Sequence, residues 1–75
     1  MTTAHNSPSA LYLDPWAGPV LAFVKPFMTK RNGLRVTRYR WQRQDGLHCC
    51  GVVYTSPEAA VAAKRRDARF ADVRA

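Results

Sequence analysis

"TKRNGLRVTRYRWQRQDGLHCCGVVYT", residues 29–55, decides the fold. Two dipeptides punctuate it, Asn32-Gly33 and Asp45-Gly46, and both tolerate the positive φ of a tight type I′ hairpin turn. Aromatic and β-branched residues dominate the runs around them, as strands require. The spacing predicts three strands, at residues 20–28, 34–43 and 47–55, joined as an antiparallel meander. With Asp45-Gly46 as a two-residue turn, Gln44 pairs with Leu47. Trp41 then faces Cys50, Tyr39 faces Val52 and Thr37 faces Tyr54, all on one side of the sheet. Arg38 and Arg40 fall on the other side, opposite Val53 and Gly51, with Leu34 and Val36 beside them. Tyr39 and Trp41 are therefore expected in the core and the arginines outside it. Pro26 has no N–H to give a ladder, which places the first strand at an edge.

Past the third run, Ser56 is a helix cap, Pro57 suits the first helical position and Glu58 suits the positive end of the helix dipole. Good helix formers then continue to about residue 70. Ala59, Ala62, Ala63, Phe70 and Val73 are expected on the side that packs on the sheet, with Arg66 reaching out at its margin. Upstream, "ALYLDPWAGP" (residues 10–19) reads as an apolar strap that either covers part of the core or docks on another protein. The first nine residues have no periodicity and are expected as a disordered arm. The expected fold is α+β: a three-stranded antiparallel meander packed on one C-terminal helix, in a single small domain spanning residues 10–75.

Charge narrows the function. Twelve Lys and Arg against five acids give a net +7 and a pI near 10.3. Seven of those bases (Lys25, Lys30, Arg31, Arg35, Arg38, Arg40 and Arg43) lie in one stretch with no acid among them. Such a concentration attracts phosphate or carboxylate, whereas a face that is merely soluble interleaves both signs. Arg65 and Arg69, one turn apart on the expected helix, form a second basic patch.

Catalytic chemistry finds little support. His48, Cys49 and Cys50 are contiguous, so they cannot converge on a metal as spaced ligand pairs do, and His5 lies in the arm. A Cys50–His48 nucleophile pair lacks a third group to orient the histidine. The acids are scattered, and no glycine-rich phosphate loop precedes a helix. No enzyme activity, cofactor, metal or small-molecule substrate is expected. Adjacent cysteines with no other partner indicate a reduced, cytoplasmic chain. The apolar run "PVLAFV" is too short to span a bilayer.

A domain of this size with two hairpin turns leading into "YTSPEAAVAAKRR" resembles small phage- or mobile-element-encoded regulators. Some of these resemble AP2-like DNA-binding sheets, in which a capped alanine-rich helix follows three strands. Others resemble phage inhibitors that sit on host RNA polymerase or on a defence complex, which would place the chain in the host cytoplasm. Two functions follow as expectations. In the first, the chain docks on the acidic surface of a nucleic-acid enzyme such as RNA polymerase and modulates transcription, with Trp16 in its strap as anchor and Lys30, Arg31, Arg35, Arg38, Arg40 and Arg43 for steering. In the second, it binds duplex nucleic acid directly through Arg38, Arg40 and the turn bases. The mixture of arginine and aliphatic groups on one face favours the first.

Overall fold

Asp14 turns the chain back on itself, and the sheet grows from that turn. In the structure, a computed structural model that describes residues 8–49 and 51–73, Asp14 Oδ1 accepts hydrogen bonds from the backbone N–H of Trp16 (2.7 Å) and of Ala17 (3.1 Å). Gly18 completes the turn at φ 78°, where glycine meets no steric cost. The product is a hairpin of β1 (Ser9–Asp14) and β2 (Gly18–Arg31), running from the Asp14–Gly18 pair to the Ser9–Phe23 pair. The expected strap is thus a strand, and an internal one. The expected disordered arm falls on residues 1–7, outside the described residues, and on Pro8 and Ser9, of which Ser9 opens β1.

Asn32 (φ 53°) and Gly33 (φ 79°) make the tight turn that their chemistry predicts, joining β2 to β3 (Leu34–Arg43) from the Arg31–Leu34 pair down to Ala22–Arg43. A short β4 (Phe70–Asp72) pairs with the other edge of β1. The sheet order is β3-β2-β1-β4, antiparallel throughout, with one helix, α1 (Pro57–Arg65). The α+β class and the antiparallel sheet stand, but the described residues form four strands rather than three.

Among the described residues of the expected third strand, 47–55, only two isolated bridges to β3 form, and their register differs from the expected one. At Asp45-Gly46 glycine alone takes a positive φ (95°). Asp45 instead accepts the Leu47 N–H at Oδ1 (3.0 Å) and Arg43 Nη2 at Oδ2 (2.8 Å), while the Gly46 N–H donates to the Arg43 carbonyl (2.9 Å). The turn therefore holds three residues, closed by the Arg43 N–H on the Leu47 carbonyl (2.7 Å), and Gln42 bridges to His48. Farther along, Tyr39 bridges to Tyr54 rather than to Val52. Only two residues separate Gln42 from Tyr39, but five separate His48 from Tyr54, so the two sides cannot stay in register, and Val52 and Val53 are about half exposed. The expected buried pair of Tyr39 and Val52 is thereby overturned.

Pro26 sits on β2 past the end of β1, on the side where no strand is paired, so its missing N–H costs no ladder bond. The expectation that this strand lies at an edge is overturned, since β2 is internal, but the side of it that Pro26 faces is unpaired at that point.

Ser56 caps α1 as expected, its Oγ accepting the Ala59 N–H (3.1 Å), with Pro57 at the first position and Glu58 in the first turn. The helix ends at Arg65 rather than near residue 70. Asp67 breaks it: its carboxylate accepts the Arg69 N–H (2.9 Å), its carbonyl accepts the Phe70 N–H (3.0 Å), and the chain leaves into β4. Within the helix Ala60 is the buried residue, whereas Ala62 and Ala63 are exposed. Ala10, Tyr12, Ala22, Val24, Trp41 and Phe70 complete the core, all on the sheet face under α1. Trp41, 2% exposed, donates Nε1–H to the Ala60 carbonyl (3.1 Å) and lies 5.4 Å from the Phe70 ring, which in turn lies 4.9 Å from Tyr12. Trp16, by contrast, is 95% exposed. Trp41→Phe should lower the melting temperature by about 10 °C, through a lost hydrogen bond and a partial cavity worth ~2 kcal/mol. Trp16→Phe should leave thermal unfolding, followed by circular dichroism, unchanged.

Candidate functional site

Because α1 covers one face of the sheet, alternation dictates what the other face carries. Arg40 is paired with Lys25 and Arg38 with Phe27, and these four side chains point away from the helix. Arg31 and Leu34, beside the turn, share that face. The Arg40 guanidinium lies over the Phe27 ring, 4.7 Å from its centroid, which holds the arginine flat against the sheet. Its Nε is enclosed and has no hydrogen-bond partner. Arg38 donates Nη1–H to the Thr37 carbonyl (3.1 Å). Lys30 and Arg35 pair with each other on the opposite face and are both exposed.

The hairpin reaches beyond the rest of the sheet. β1 ends opposite Phe23, with the Pro8 carbonyl still accepting the Val24 N–H (3.0 Å), and the outermost bridge to β3 is at Tyr39. From Phe27 and Arg38 outward, β2 and β3 pair only with each other among the described residues. Five residues of β2 make up this arm, so it extends about 15 Å at the rise of an antiparallel strand. Residues 25–40 hold six of the twelve bases and none of the five acids, leaving six bases against five acids for the rest of the chain.

The remaining predicted residues sit elsewhere. Arg43 forms ion pairs with Asp14 and, at 2.8 Å, with Asp45, all but about a tenth of its side chain and that of Asp14 being buried. It joins the β1–β2 turn to the turn after β3. Arg65 approaches Asp72 at 3.9 Å, and Arg69 pairs with Asp67 at 3.1 Å and lies over the Tyr12 ring at 5.8 Å. The helix ends before Arg69, so these two arginines do not stack on one helical side, and each faces a carboxylate. Trp16 stands at the far end of the sheet from the arm, in the β1–β2 turn. Lys25 and Phe27 were not among the predicted residues. The signal for them was Asn32-Gly33, because a two-residue turn there sets Phe27 opposite Arg38 and Lys25 opposite Arg40.

No three His, Cys, Asp or Glu side chains converge among the described residues, and no helix there is long and apolar enough to cross a membrane. No family model matches the chain, and no significant match is found among the curated proteins or the solved structures.

The N–H groups of Trp16 and Ala17, and then the Arg43 guanidinium, hold the Asp14 carboxyl below its ordinary range. Asp67 is lowered likewise, chiefly by the Arg69 side chain and N–H. A lowered carboxylate contributes stability above its unfolded value, and that stability is lost as pH falls through the folded value. Asp14→Ala should therefore melt at a lower temperature than the parent at neutral pH, with the gap narrowing as pH falls below the ordinary aspartate range. A gap that stays constant with pH in a series of thermal melts would contradict this.

Proposed function

We propose that the chain is a non-enzymatic binding module of nucleic-acid machinery, and that its projecting hairpin binds duplex nucleic acid. One observation carries the proposal: a two-stranded arm with bases on both faces, Arg31 and Arg38 on one and Lys30 and Arg35 on the other, and no acid between them. A flat acidic surface is met by bases on one face only. A groove has two phosphate walls, and a ribbon lying in it needs cations on both sides. The major groove, about 12 Å wide and 8.5 Å deep, admits a two-stranded ribbon, and an arm of about 15 Å reaches its floor. Lys30 and Arg35 then face the phosphates of one wall and Arg31 and Arg38 those of the other, while Arg40 stays at the root, outside the groove.

On that ground we favour the duplex reading over docking on RNA polymerase, the reverse of the order that the sequence alone favoured. A regulatory role in transcription, and a phage or mobile-element source, are consistent with such a module and remain part of the proposal. A protein partner keeps one specific point of support: Leu11 and Leu13 are 40% and 50% exposed on the open sheet face, away from the arm.

Binding to a labelled random duplex, followed by anisotropy across a salt series, tests the reading. The parent should bind with a log–log salt slope of several units. Lys30→Ala/Arg35→Ala and Arg31→Ala/Arg38→Ala should each reduce that slope by about two. Loss with one pair only would mean that the sheet lies flat on its target. Absence of binding at low salt, with the fold intact, would overturn the proposal.

A further inference from the structure

The apolar patterning of β1 and β2 departs from that of a sheet covered on one side only. Leu11, Tyr12 and Leu13 are consecutive, and so are Val20, Leu21, Ala22, Phe23 and Val24. A strand with one wet face alternates apolar with polar, whereas unbroken apolar runs belong to strands covered on both faces. The helix side takes Tyr12, Ala22 and Val24. The other side keeps Leu11, Leu13, Leu21 and Phe23, joined through the pairs Leu11–Leu21 and Ser9–Phe23, and none of these four is buried.

The surroundings of this patch say what covers it. Toward the arm it is bordered on the same face by Lys25 and Arg40, with Arg38 beyond. All strand acids lie on the helix side or at its margin: Asp14 pairs with Arg43, and Asp72 pairs across from buried Ala10 and faces Arg65. At the other end stands Trp16, almost wholly bare. A second copy of the chain would bring an equally basic face against this one, and four apolar side chains fall well short of the ~800 Å² per partner that a stable dimer buries. A segment with an apolar stripe and acidic flanks satisfies both halves of the surface at once.

We propose that the open face of β1 and β2 is a docking site for an acidic amphipathic helix of a partner protein. Its apolar stripe rests on Leu11, Leu13, Leu21 and Phe23, and its carboxylates meet Lys25 and Arg40. The helix takes the position on this face that α1 takes on the other. The proposal does not depend on duplex binding, since the arm lies outside the patch.

The test uses the full chain and a fluorescein-labelled helical peptide with leucine at i, i+3, i+4 and i+7 and glutamate elsewhere. The expected result is saturable binding that weakens with salt and falls about tenfold in Leu11→Ser/Leu13→Ser. Trp16→Ala, whose bare side chain leaves the fold untouched, should weaken it as well. Duplex binding by the same samples should not change, which separates this proposal from the one about the arm. Equal binding of a peptide of the same composition with scattered leucines would overturn it. So would no binding by folded protein, and so would a self-association, seen by analytical ultracentrifugation, that Leu11→Ser/Leu13→Ser abolishes. Loss of duplex affinity in the leucine variant would assign the face to nucleic acid instead.

Discussion

The fold depends on where the Trp41 indole goes. An indole N–H that is taken out of water needs a partner, and the Ala60 carbonyl provides it from the middle of α1. The ring also lies against Phe70, which packs on Tyr12, so one side chain connects β3, α1, β4 and β1. Everything outward follows from that placement. With Trp41 turned toward the helix, pleating turns Arg40 and Gln42 to the other face. Arg40 then finds the Phe27 ring, and Gln42 donates Nε2–H to the Gly46 carbonyl (2.8 Å), pinning the turn that follows β3. A core of this size has few large side chains to spare, and losing the indole would release the helix and the last strand together.

Turn chemistry made half of the architecture legible. Asn32-Gly33 marks a tight turn in a stretch that allows loops of two to four residues, and the two-residue form it takes sets the β2–β3 register. The outward direction of Arg38 and Arg40 was legible from their alternation with Tyr39 and Trp41. Ser56-Pro57-Glu58 marks the helix start in the same local way. The errors arose where a side chain outcompeted the backbone. Asp45 resembles half of a second Asp-Gly turn, but its carboxylate is engaged by Leu47 and Arg43, and the added turn residue shifts everything after it. Asp14-Pro15 announces a turn equally well, with aspartate positioned to accept two N–H groups, yet the apolar residues around it read as a strap. Asp67 ends the helix by the same device. Beyond these, β4 has three residues and depends on β1 for its pairing, so no periodicity within it could reveal it.

Of the candidate site, the sequence made the basic stretch visible but not its division. Of the seven bases, Arg43 belongs to the carboxylates of two turns, and the other six ride on the hairpin. Their segregation is electrostatic as well as geometric. The five acids occupy the turns, the helix and the short strands, where Asp14, Asp45, Asp67 and Asp72 each meet an arginine. The body is thereby nearly neutral and the arm carries the field. A field concentrated on a thin projection acts on partners at distances up to about the Debye length, ~10 Å at moderate salt, and orients the molecule before contact.

Chemical-shift mapping with the isotope-labelled chain and a short duplex shows which surface the nucleic acid meets. The largest perturbations should fall on both strands of the arm, residues 27–38, with α1 and β4 almost silent. Perturbations centred on α1 and β4 with a silent arm would contradict duplex binding by the arm.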